Sequence, residues 1–283
     1  MDRAGNSLAE AEELVRFITP AGSGAAFAGL DTACLECQAA AYGLPKTTLL
    51  ECLYKFARDR QVRVSDLSDL GYETSLPASS RIVAIGDSIT EDRLSWASLW
   101  GAIAKSCSVT VAGRSGATSA DALAAVVEQL SRPVKANLFV ILIGTNDARV
   151  LGDSGQKPFV NLSETRCNLA EIARMISAES SAKLFWMTPT GITRDLCLDY
   201  GQGAEVFRKE NLDAVIECVR DRPEPVLDLQ RVFLTAGHQH LVEEDGLHPN
   251  PKGQALILTT LMSALAGALR FPMVEEGPDE PQS

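Results

Sequence analysis

The chain has 283 residues, 46% apolar and 22% charged, which suits a soluble globular protein and excludes a mainly disordered chain, a coiled coil, collagen and a small disulfide scaffold. At about 150 residues per domain this length holds one or two domains. The 37 acidic residues against 26 basic ones, a formal charge of −11, argue against broad binding to nucleic acid or to an anionic membrane, since either needs a basic surface.

The first 79 residues read as a helical N-terminal region without strand signals. Met1-Asp2-Arg3 lacks the basic stretch and apolar core of a signal peptide. Ser7-Leu8-Ala9-Glu10 is a capping box, which predicts a helix running toward Ile18 and stopping before Pro20. Residues 21–29, rich in Gly and Ala, read as a loop. A second helix is expected from Asp31 to Tyr42, ended by Gly43-Leu44-Pro45. A third starts near Thr47 or Thr48, with Leu49, Leu50, Leu53, Tyr54 and Phe56 at helical spacing. Cys34 and Cys37 form a C-x-x-C without a second such pair or a nearby histidine, so they read as neighbours on an Ala-rich helix before a zinc or redox pair. The seven scattered cysteines, read as reduced thiols, together with that start predict a cytoplasmic protein. Residues 45–67 faintly resemble a helix-turn-helix, but no basic recognition helix accompanies them. These helices would expose Leu, Phe and Tyr if they stood alone. They must dock on the rest of the chain, cover its pocket, or mediate self-association or binding of a protein partner. Residues 75–80, with Pro77, read as a linker.

From Arg81 the pattern becomes an alternation of strands and helices. Short apolar runs at 82–85, 109–112, 138–143, 184–187 and 226–229 suit buried strands, and helical stretches lie near 93–105, 119–131, 163–178 and 204–220. A last helix runs from Pro251 to about Leu269. Its apolar stretch from Ala255 to Leu269, interrupted by Thr259, Thr260 and Ser263, is shorter than the ~20 residues that cross a bilayer. This predicts a three-layer α/β/α domain over residues 80–271, with a mostly parallel central sheet and a tail over 272–283. In such sheets the ligand crevice lies beyond the C-terminal ends of the strands.

Four blocks fall at that edge. Gly86-Asp87-Ser88-Ile89-Thr90 follows the first strand, where a tight turn can present the Ser88 hydroxyl as a nucleophile; the plain alternative is a serine capping the next helix. Gly113-Arg114-Ser115-Gly116 follows the second strand, where glycines let backbone N–H groups approach a ligand. Gly144-Thr145-Asn146-Asp147 follows the third, where the Asn146 amide could donate to a developing oxyanion or bond a loop backbone. Asp245-Gly246-Leu247-His248-Pro249 precedes the last helix, and His248 could act as base with Asp245 setting its tautomer. Asp87 and Asp147 read as braces for their loops. The segments 149–162 and 190–203 start at the same edge and read as loops that shape the pocket.

In this order the blocks GDSI, G-x-x-G, G-T-N-D and D-G-L-H-P resemble the SGNH (GDSL-type) esterase and lipase family over residues 81–270. The resemblance implies the SGNH-hydrolase, flavodoxin-like fold. It also implies a Ser88 nucleophile, an Asp245–His248 pair as supported base, and an oxyanion hole from Ser88, Gly116 and Asn146. It calls for a small-molecule ester substrate and for no metal or organic cofactor. Val111-Ala112-Gly113 stand where the family often has an asparagine, so Gly113 remains an alternative to Gly116. The expected reaction is hydrolysis of a carboxylic ester. The alternatives are acyl transfer from the same acyl-enzyme, and a protein that recruits a partner through its N-terminal helices.

Other residues carry less. His238 and His240 would face one way on a strand, but no third metal ligand accompanies them. Arg114 could meet an anionic substrate group or solvent. Trp96 and Trp100, one helical turn apart, read as core.

Overall fold

The computed structural model describes residues 7–18, 34–69, 79–104, 106–152, 155–199 and 204–268. The expected loop at 21–29, the start of the second helix at 31–33, residues 75–78 of the linker and the tail lie outside these residues.

Three helices come first: α1 (Leu8–Phe17), α2 (Leu35–Tyr42) and α3 (Lys46–Asp69). The Ser7 capping box closes α1, with the Glu10 N–H donating to Ser7 Oγ and the Ser7 N–H donating to Glu10. Cys34 is the N-cap of α2, its Sγ accepting from the Cys37 N–H at 3.3 Å. The stretch compared above with a helix-turn-helix is one unbroken helix, because nothing inside Lys46–Asp69 stops it. Ala11, Val15, Ala39, Tyr42, Leu49, Cys52 and Phe56 close a small core among the three helices. Leu94, from the α/β part, completes it.

The α/β part then follows: β1 (Arg81–Gly86), α4 (Ser88–Glu91), α5 (Trp96–Ile103), β2 (Ser108–Gly113), α6 (Ser119–Ser131), β3 (Leu138–Leu142), β4 (Arg149–Leu151), α7 (Leu162–Glu179), β5 (Lys183–Met187), β6 (Leu196–Asp199), β7 (Ala204–Phe207), α8 (Lys209–Arg220), β8 (Val226–Leu227), α9 (Leu229–Ala236) and α10 (Pro251–Ala268). The main sheet has the order β2-β1-β3-β5-β8, and every pair in it is parallel. This is the doubly wound order in which the chain leaves β1 to one side for β2 and to the other for β3. The carboxyl ends of β1 and β3 therefore lie side by side at the switch point, the place where such sheets bind ligands and where the sequence blocks converge.

The two faces are read directly from the period of two along each strand. Ile82 and Ala84 of β1, Leu138, Val140 and Leu142 of β3, and Phe185 and Met187 of β5 point to one face, under α5, α9 and α10. Val83, Ile85, Phe139, Ile141, Leu184 and Trp186 point to the other, under α6, α7 and α8. Trp96 and Trp100 are fully buried in the first layer, with ring centroids 6.4 Å apart.

The structure departs from the sequence expectation in several places. The helix expected over 204–220 begins only at Lys209, because Ala204–Phe207 is strand β7. That strand pairs antiparallel with β4 and β6 in a second, three-stranded sheet. The segments read as loops at 149–162 and 190–203 thus each contain a strand, too short for periodicity to show. The strand expected to reach Leu229 stops at Leu227, and α9 follows. Its signal is local: the Asp228 side chain accepts from the Arg231 N–H at 3.1 Å, and Leu229 and Phe233, four apart, are buried. His238 and His240 lie on a short 3₁₀ turn, where His238 is buried with a ring nitrogen 2.9 Å from the Gly191 carbonyl. Among the described residues, no helix is long and apolar enough to cross a membrane.

Candidate active site

Ser88 opens α4 directly after β1. Asp87 is the N-cap, its Oδ1 accepting from the Ile89 N–H at 3.0 Å. The turn leaves Ser88 partly exposed between buried neighbours. Its Oγ lies 2.8 Å from His248 Nε2. His248 Nδ1 lies 2.6 Å from Asp245 Oδ2. The other Asp245 oxygen accepts from the Leu247 and His248 N–H groups at 2.8 and 3.0 Å. Asp245 thus folds its own loop around the histidine that it orients. Burial alone would push the Asp245 carboxyl up, but His248 and these two N–H groups outweigh it and hold it below the usual carboxylate range.

The two glycines in question stand at the end of β2 and on the loop after it, in different surroundings. A Cβ on Gly113 would stand 2.5 Å from the Glu91 backbone nitrogen, so Gly113 is a close-packing glycine at the strand end. Gly116 has φ +75°, in the left-handed region, with only the Arg149 guanidinium within 4 Å of where a Cβ would stand. The loop is clamped from inside by Glu91, which is buried and accepts from the Ser115 N–H. Arg114 pairs with Asp121.

Asn146 follows β3 and is buried. Its Nδ2 donates to the Ala117 carbonyl at 3.0 Å, which joins this side chain to the Gly116 loop and leaves its second amide hydrogen for another acceptor. Asp147 accepts from the Ser119 N–H at 2.8 Å, from Ser119 Oγ at 2.5 Å and from Thr165 Oγ1 at 2.9 Å, tying the loop to α6 and α7. Both acids are braces. Full burial pushes the Asp87 carboxyl up to about 6, and burial raises Asp147 as well.

Ser88 at the start of α4 and Gly116 and Asn146 on the loops after β2 and β3 share one edge of the sheet, and the loop of Asp245 and His248 meets them there through the Ser88–His248 bond. Ser88, His248 and Asp245 form one continuous hydrogen-bonded chain, and Asn146 is bonded to the loop of Gly116. Sequence reasoning missed Phe17. Its ring lies against the His248 imidazole, centroids 4.8 Å apart and planes tilted by 41°. A Phe at the end of an amphipathic helix carries no mark of where that helix docks.

The model of the GDSL-like lipase/acylhydrolase family matches residues 84–256, and the chain belongs to that family. Among solved structures it resembles a member of the lipolytic protein G-D-S-L family from Veillonella parvula, at 17% identity and a TM-score of 0.50, over 65% of this chain and 97% of that one. It also resembles an α/β hydrolase enzyme from the metagenome of Lake Arreo, Spain, at 20% identity and a TM-score of 0.51, over 70% and 100%. An acetyl xylan esterase gives 15% identity and a TM-score of 0.51, over 65% and 99%. At these identities the likeness is one of fold. No curated protein sequence matches the chain.

Proposed function

We propose that this chain is a serine esterase that hydrolyses a carboxylic ester through an acyl-enzyme on Ser88. The observation that carries this reading is the relay from Ser88 Oγ to His248 Nε2 at 2.8 Å and from His248 Nδ1 to Asp245 at 2.6 Å. A serine hydroxyl is a weak nucleophile until a base takes its proton. With Nδ1–H donated to the carboxylate, Nε2 is left with its lone pair toward Ser88 Oγ. Oγ then attacks the ester carbonyl while Nε2 takes the proton. The Ser88 N–H, the Gly116 N–H and the second Asn146 amide hydrogen are the three donors for the resulting oxyanion. Collapse of this intermediate sends the proton from His248 to the leaving alcohol. Water, deprotonated by the same Nε2, releases the acid and restores Ser88.

The test is hydrolysis of p-nitrophenyl esters from acetyl to palmitoyl, with Ser88→Ala alongside. Turnover by the wild-type protein that falls by a factor on the order of 10⁴ or more in the variant, at an unchanged melting temperature, is the expected result. Full activity in Ser88→Ala would overturn the reading.

A further inference from the structure

The end of α1 is built into the site. The last turn of a helix leaves four carbonyls without partners of their own. Here the carbonyls of residues 15–18 are all taken by groups from outside α1. Arg93 Nε donates to Val15 O at 2.6 Å, and the Arg93 N–H donates to Arg16 O at 3.1 Å. Ser115 Oγ donates to Phe17 O, and the Tyr42 hydroxyl to Ile18 O, each at 2.5 Å. Two of these donors are on Arg93, just past α4, and a third is on the loop of Gly116. Arg16 adds a two-sided clamp. Its Nε and Nη2 reach the Asp92 carboxylate at 3.1 and 2.8 Å, and its Nη1 reaches Glu243 at 2.9 Å. Glu243 stands on the loop of Asp245 and His248. The same guanidinium lies over the Phe17 ring, 4.8 Å from its centroid.

Phe17 is thereby held by three separate pieces of the hydrolase fold. Such anchoring describes a fixed wall instead of a hinged cover. The wall stands at a chemically defined place. The leaving oxygen must come within hydrogen-bond reach of His248 Nε2 to receive its proton, so the alcohol attached to it lies on the His248 side, away from the Gly116 and Asn146 donors. The Phe17 ring packs against this imidazole, with centroids 4.8 Å apart.

We infer that Phe17 is a specificity-determining residue, the apolar wall that limits the bulk of the ester's alcohol. The inference rests on the esterase reading of the same site. It assigns α1 to alcohol selection and leaves the choice of acyl chain to other elements.

The experiment uses the full chain and two ester series. One is the acetates of methanol, butanol and cyclohexylmethanol, whose alcohols differ in bulk but little in leaving ability. The other is the p-nitrophenyl esters from acetyl to octanoyl. Phe17→Ala is expected to shift kcat/KM toward cyclohexylmethyl acetate over methyl acetate by roughly tenfold, mostly through KM, with the order in the acyl series kept. Phe17→Trp is expected to shift the same ratio the other way, and Phe17→Leu to move it part of the way toward Ala. These two variants carry the test if the alanine variant does not fold. Ratios within twofold of wild type in all folded variants, or a reordered acyl series instead, would overturn the inference. Wild-type protein without Ser88-dependent turnover in either series would sink the esterase reading and this inference together. Turnover with unmoved alcohol ratios would sink the inference alone.

Discussion

The α/β part and the three N-terminal helices reach the same site by different routes. In the α/β part Ser88, Gly116 and Asn146 follow β1, β2 and β3 by two to four residues, so the register of the sheet sets their places. Parallel pairing aligns Gly86, Gly113 and Leu142 across the sheet, and the blocks that follow must then share one edge. The N-terminal helices have no such register with the sheet. They are placed by charge pairs and by borrowed caps, with Arg16 as the main anchor. Backbone pairing thus places Ser88, Gly116 and Asn146, and side-chain docking places Phe17.

The comparison can be broken at several points, in falling order of effect. Asp245→Asn keeps an acceptor for the loop N–H groups but places an amide where a carboxylate should meet His248 Nδ1. Turnover in steady-state kinetics should fall by a factor on the order of 10³–10⁴, with the fold unchanged. Arg16→Ala attacks the other route. It leaves the fully buried Asp92 carboxylate without its ion pair, which costs on the order of 3–5 kcal/mol. Chemical denaturation should show this loss, and limited proteolysis should cut α1 first. An Arg16→Ala protein as stable as wild type would show that other contacts place the helix. Asn146→Ala should lower kcat on the order of 10²–10³ if its free amide hydrogen serves the oxyanion.

The smallest effect concerns pH. Burial raises the Asp87 carboxyl to about 6, so the folded state favours its protonated form. The stability tied to that proton is full below the unfolded value near 3.9, and is lost as pH rises through about 6. The loss is at most about 3 kcal/mol, from the difference between those two values. Asp87→Asn removes the charge and keeps the cap acceptor. The difference between wild-type and variant denaturation free energies should therefore change between pH 4 and 7 and be flat above. A difference that is flat throughout would mean that Asp87 titrates normally.

The site was legible because its residues sit in short contiguous blocks whose chemistry and strand-end position are both local properties. The choice of Gly116 over Gly113 rested on the block alone. The φ of +75° and open surroundings at Gly116 contrast with the crowding at Gly113, and no spacing rule separates the two. The strands β4, β6 and β7 escaped because three or four residues hold too few alternations to outweigh their polar members, such as Arg149 and Glu205. Helix α9 escaped because Leu229 extended an apolar run that Asp228 in fact interrupts with a cap. Phe17 was out of reach for another reason. Its contact with His248 depends on Arg16 meeting Asp92 and Glu243, acids far apart in sequence with nothing to single them out among the 37 acidic residues.

The clamp made by Arg16 has a consequence for how the molecule assembles. Arg16 and Glu243 are separated by 227 positions, and Ser88 and His248 by 160. Contacts that close loops of this length form late, since the entropy of closure is lost before the contact is gained. Helices and the local β1–β2 pairing can return within the early phases of refolding, while the Ser88–His248 and Arg16–Glu243 contacts wait for distant parts of the chain to meet. After dilution from denaturant, ester turnover should be the last signal to recover, trailing both circular dichroism and tryptophan fluorescence.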